Sequence, residues 1–153
     1  MACIAQSVNV ISPLMTTESG IIKQSTWWPY ELFCKYMQGH TILCHTSCDE
    51  YDGPTHPDMI RGTKDTPWLD VSATVDEDGW ISLCVVNIHE KENLATSLEG
   101  CHGVVQAFTV TGPNVRAHNM GGKEEVGMKE SIWDAKSPYV FPKHSMTLLR
   151  WQN

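Results

Sequence analysis

The sequence has no apolar run approaching the roughly 20 residues of a membrane-spanning helix, and its opening residues, MACIAQSVNVI, carry no basic segment ahead of an apolar one. Neither a membrane span nor a secretory leader is expected. Basic residues are scarce, with 11 Lys and Arg against 18 Asp and Glu for a formal charge of −7. A chain of that sign is repelled by phosphate backbones and anionic lipid, so nucleic acid and membrane surfaces are not expected as partners. The six cysteines form no CxxC, which removes the redox and zinc-ribbon signatures, and there is no Asn-x-Ser/Thr acceptor for glycosylation. These thiols are expected as small core or surface groups, and the two absences lean toward a reducing, intracellular setting. Internal repeats and low-complexity tracts are lacking too.

What is present is clearest at Leu69 to His89, LDVSATVDEDGWISLCVVNIH. Leu69, Val71, Ala73 and Val75 alternate with Asp70, Ser72 and Thr74, the pattern of a half-buried strand. Asp76, Glu77, Asp78 and Gly79 follow as a solvated turn in which glycine takes a positive φ. Trp80 to Ile88, rich in β-branched and aromatic residues, then pairs back antiparallel with Ile81, Leu83 and Val85 on one face. A hairpin alone is marginal in water, so other strands must cover it.

Ala2 to Ile11 is a nearly continuous apolar run whose period cannot distinguish a buried strand from a short buried helix. Ser12 to Ser19 reads as loop, with a short extended piece at Ile21 and Ile22. Pro29 suits the first turn of a helix, and Tyr30, Phe33, Cys34 and Met37 fall at i, i+3, i+4 and i+7, with Gly39 ending it. Thr41 to Cys48 reads as a strand, Asp52 to Pro67 as a long surface loop, and Leu94 to Leu98, Val104 to Thr111, Val126 to Trp133 and Met146 to Trp151 as further strands. Strand after strand between turn signals predicts a mostly β protein, an antiparallel β-sandwich or jelly roll. At 153 residues the chain is one domain's worth, well short of the roughly 250 of a complete (β/α)8 barrel.

Four blocks, ACIAQSVNVISPLMT at 2–16, QSTWWPYELFCKYMQG at 24–39, TPWLDVSATVDEDGWISLCVVNIHE at 66–90 and FPKHSMTLLRW at 141–151, resemble in order and spacing the C-terminal portion of fungal-type α-L-arabinofuranosidases of glycoside hydrolase family 51. The resemblance runs from end to end. It implies a jelly-roll β-sandwich over residues 41–153, preceded over residues 1–40 by a remnant of the last strand and helix of a (β/α)8 catalytic barrel. Ala2 to Gln6 would be the end of that strand and Tyr30 to Met37 the helix. The chain is therefore expected to be a fragment or a truncated form, with Met1 where the family often has an internal methionine.

The resemblance further implies a retaining glycosidase, removing terminal α-L-arabinofuranosyl groups from arabinoxylan, arabinan or their oligosaccharides with two glutamates roughly 5 to 5.5 Å apart. Both glutamate motifs would fall upstream of Met1, so the isolated chain is expected to be inactive. Gln6, in the AQ-x-VN block, matches the glutamine that hydrogen-bonds the arabinofuranose at the C-terminal end of the last barrel strand. Trp27 and Trp28 are candidate walls of the sugar pocket, since indoles stack on the C–H faces of sugars, although a bulky pair ahead of a helix more often packs a core. Trp80 and Trp133 read as covers of a core edge. His40, Cys44, His45 and Cys48 offer zinc-type ligands, but on a strand His40 and Cys48 would be roughly 26 Å apart, so no metal and no cofactor is expected. His89 and His144 suit structural hydrogen bonding. The expected partners are an arabinose-containing saccharide, the missing barrel and a possible second copy of the chain. The alternative is a free-standing, non-catalytic carbohydrate-binding sandwich or accessory subunit.

Overall fold

The computed structural model describes residues 4–57, 59–120 and 122–152. In chain order the elements are β1 (Leu14–Thr17), β2 (Gly20–Lys23), α1 (Trp27–Tyr36), β3 (His40–Ile42), β4 (Glu50–Tyr51), β5 (Thr66–Pro67), β6 (Leu69–Val75), β7 (Trp80–Asn87), β8 (Leu94–Thr96), β9 (Val104–Thr111), β10 (Gly127–Asp134), β11 (Tyr139–Phe141) and β12 (Ser145–Gln152). Six of them form one antiparallel sheet in the order β10-β9-β12-β7-β6-β3. The central hairpin is the one read from the alternation, with Val75 opposite Ile81 and Leu69 opposite Asn87. Gly79 holds φ +79°, and its N–H donates to the Asp76 carbonyl at 3.1 Å.

Both faces of the sheet are covered in its middle. On one face Leu69, Ala73, Leu83, Val85, Val105, Ala107, Leu149 and Trp151 form a core with Phe141 from β11, which pairs only with β8. On the other face Cys84, Phe108, Val110, Met146 and Leu148 meet Leu32 of α1. Strands β7 and β12 therefore carry apolar residues at successive positions, as strands buried on both sides must. Strand β6, between β7 and the three-residue β3, keeps the half-buried alternation, with Asp70 and Ser72 exposed.

Helix α1 departs from the sequence expectation in which face it buries. Trp28, Leu32 and Tyr36, spaced by four, pack on the sheet, while Tyr30, Phe33 and Cys34 point outward and are exposed. Only Met37 of the expected stripe joins the core, because the helix is apolar on more than one side and the sheet takes the stripe carrying leucine. Burial of Leu32 to 1% exposure contributes about 1.5–3 kcal/mol. Gln38 Nε2 donates to the Phe33 and Cys34 carbonyls and so satisfies the last turn. Gly39 follows at φ +90°, where a Cβ would overlap the Val75 carbonyl.

Other expectations need correction. Of the apolar run Ala2 to Ile11, Ala2 and Cys3 lie outside the described residues. The rest is neither helix nor core strand: it makes one bridge, Val8 to Leu14, and leaves Ile4, Val8, Val10 and Ile11 exposed because no described element covers it. Ser12 to Ser19 is not all loop, since Leu14–Thr17 pairs with Gly20–Lys23 as a hairpin. The strand expected at Thr41 to Cys48 stops at Ile42, after its three-residue pairing with β6. Asp76 is not simply solvated, as its carboxylate is tied into the fold.

Candidate functional site

Of the candidate site residues, Gln6 lies on the segment before β1, and Trp27 and Trp28 open α1. Gln6 is exposed and makes no hydrogen bond to another described residue. The segment after it is anchored: Asn9 N–H donates to the Leu14 carbonyl at 2.7 Å, and Asn9 Oδ1 accepts from Thr16 N–H and Thr16 Oγ1 at 2.8 and 3.0 Å. Gln6 thus lies three residues ahead of an anchored position.

The two indoles are engaged. Trp27 Nε1 donates to Glu31 Oε2 at 2.6 Å, one turn along α1, and Trp28 Nε1 donates to the Val126 carbonyl at 3.3 Å. Lys23 Nζ lies 5.1 Å from the Trp27 ring centroid and 4.9 Å from that of Trp28, and pairs with Glu31 at 3.5 Å. A single ammonium therefore sits against both rings. Trp28 is also part of the packing between α1 and the sheet.

Away from this region Trp80, Trp133 and His89 make contacts within the fold. Trp133 meets Tyr139 edge-on at 5.2 Å, and Trp80 carries the Arg150 guanidinium 4.4 Å over its ring. His89 lies 4.3 Å from Trp68, and its Nδ1 accepts from the Lys91 and Glu92 N–H groups at 3.2 and 2.9 Å. Among the described residues no three His, Cys, Asp or Glu side chains gather as a metal cluster. Five cysteines are free among the described residues; burial, then the charge of Asp70, pushes the Cys84 thiol up to about 12, and burial pushes Cys101 up to about 11. Neither is a poised nucleophile.

The model of the α-L-arabinofuranosidase C-terminal domain matches residues 1–145. The chain belongs to this family. Its relatives include the probable α-L-arabinofuranosidase C of Aspergillus terreus, 63% identical over 152 residues, and α-L-arabinofuranosidase C of Emericella nidulans, 62% identical over the same length. Each alignment covers 99% of this chain and 30% of the relative, so the chain spans under a third of those enzymes. Among solved structures, the thermostable family 51 α-L-arabinofuranosidase of Thermotoga petrophila superposes with a TM-score of 0.82 at 22% identity, covering 97% of this chain and 33% of that one. That likeness shows the fold. The family is one of glycoside hydrolases, and this arabinofuranosidase domain is its mostly β C-terminal part.

One feature of the domain was not legible from a single apolar stripe. The outward face of α1 lines an apolar cleft of about 510 Å³ with Thr26, Pro29, Tyr30, Phe33, Cys34 and Gln38. Tyr30 and Phe33 are 37% and 41% exposed. Two apolar stripes on one short helix, at Trp28-Leu32-Tyr36 and at Tyr30-Phe33-Cys34, were the available signal that the helix is apolar on two sides.

Proposed function

We infer that the chain is the C-terminal, non-catalytic part of a retaining α-L-arabinofuranosidase that releases terminal arabinofuranosyl groups from arabinose-containing saccharides. The observation that carries this reading is a match running the whole length of the chain yet only 30% of the length of its close relatives. Retaining chemistry needs two carboxyl groups roughly 5 to 5.5 Å apart, one an acid and base, the other a nucleophile. The carboxylates of this chain with assigned partners are in structural service: Glu31 with Trp27 and Lys23, Asp76 with Arg150, Asp134 with Lys136 and Glu125 with His118. The pair that performs the displacement belongs to the part of the enzyme beyond this chain. The apolar outer face of α1 supports the same reading, as a surface that a catalytic barrel would cover.

Within the intact enzyme Gln6 supplies the sugar contact of this chain. Its primary amide offers two donors and an acceptor, enough to bridge neighbouring furanose hydroxyls. Trp27 and Trp28, with Lys23 against both rings, are the candidate wall of the sugar pocket. The test is an aryl α-L-arabinofuranoside assay on the purified chain and on the full-length enzyme that contains it. The chain should show no turnover, and Gln6→Ala in the full enzyme should lower kcat/KM about 10- to 100-fold, the loss of one or two hydrogen bonds to substrate. Turnover by the chain alone that disappears with one of its own carboxylates overturns the reading.

A further inference from the structure

At the tip of the β1–β2 hairpin a second cleft, of about 620 Å³, opens between Thr17, Ser19 and Ile21 on one side and Lys123 and Glu124 on the other. Its two walls come from segments a hundred residues apart in the chain, and Asn119 joins them. Asn119 is 2% exposed; its Nδ2 donates to the Lys23 carbonyl at 2.9 Å and the Val126 carbonyl at 2.7 Å, and its Oδ1 accepts the Val126 N–H at 2.8 Å. A buried amide satisfied at both ends fixes the loop before β10 against β2, so the cleft has a built frame.

The lining is chemically mixed. Thr17 and Ser19 bring hydroxyls that share a 3.2 Å hydrogen bond, Ile21 is 68% exposed as an apolar ledge, and Lys123 and Glu124 bring one charge of each sign. A phosphate or a metal ion finds no cluster of opposite charge here. A neutral polyol does better, because it offers hydroxyls to the polar groups and C–H surface to the ledge. The cleft is also coupled to Gln6 through one continuous piece of structure. Thr16, next to Thr17, donates twice to Asn9, and Asn9 is three residues from Gln6, a span of at most about 11 Å.

We propose that this cleft is a distal subsite for a neutral pentose oligosaccharide, holding sugar units beyond the one that Gln6 contacts. The proposal rests on the reading of Gln6 given above. Its test is a titration of the isotope-labelled chain with α-1,5-linked arabinotetraose, followed by amide chemical shifts, beside a glucose tetrasaccharide and methyl α-L-arabinofuranoside. Saturating shifts are expected at Ser19, Ile21 and Lys123 with arabinotetraose, weakened at least tenfold by Ile21→Asp, with the remaining spectrum confirming that the variant is folded. Absence of those shifts, or an unchanged response in Ile21→Asp, overturns the subsite; an equal response to the glucose tetrasaccharide overturns its assignment to pentose. The Gln6 contact is tested apart from this, by Gln6→Ala in the full-length enzyme, so the two ideas fail separately.

Discussion

Arg150 and Asp76 meet at the end of the central hairpin, where Arg150 NH2 lies 3.0 Å from Asp76 Oδ2 and the guanidinium is held between the rings of Tyr36 and Trp80 at 5.1 and 4.4 Å. Partial burial alone would raise the Asp76 carboxyl, but the Trp80 N–H, Arg150 and the Asp78 N–H together hold it below its ordinary value. A carboxyl whose pKa is depressed by folding adds stability that is complete above its unfolded value, about 3.9, and is lost as pH falls through the folded one. Asp76→Asn should therefore lower the melting temperature at pH 7, and the gap to the unmutated chain should narrow below about pH 4. Thermal scans across pH 2.5 to 7 check this. The sequence DEDG reads as a solvated turn because the partner that changes its meaning lies 74 residues away. Gln6 is the opposite case: local patterning says nothing about it, and only the AQ-x-VN match singles it out.

At the scale of elements, the long strands were legible, and of the short ones β2 and β8 were too, but β4, β5 and β11 were not. β6, β7, β9 and β12 run seven or eight residues, long enough for alternation or β-branched enrichment to show. β4, β5 and β11 run two or three, fewer than any period needs, and exist because partners distant in sequence present edges to them. Helix α1 was placed correctly within a few residues, but a helix apolar on two sides gives periodicity no way to choose its inner face. Leu32→Ala separates the faces: as a truncation in a fully buried contact with Cys84, Phe108 and Leu148, it should cost about 2–5 kcal/mol in denaturant unfolding. The same truncation at outward Phe33 should cost under about 1 kcal/mol in the isolated chain.

At the scale of the molecule, the domain carries a charge of −7 and an uncovered apolar cleft along α1. Charge opposes association and the cleft favours it. The isolated chain should therefore self-associate with rising concentration and ionic strength, as screening removes the repulsion within about 10 Å at 0.1 M salt. Phe33→Asp should return it to monomer in sedimentation velocity runs without a loss of folded signal. In the full-length enzyme the same variant should lower stability, since there the aspartate would be buried against the barrel.

The order of the main sheet has one more consequence. β12 is the latest of its six strands in the chain and sits between β9 and β7, so the β3-β6-β7 half and the β10-β9 half share no backbone hydrogen bonds until it arrives. During synthesis the ribosome must therefore release two unjoined ribbons, each with an open hydrogen-bonding edge, and closure waits for Ser145–Gln152 to emerge. The eight residues that finish the sheet are the clasp, and nascent chains paused before them are the ones a chaperone would be expected to hold.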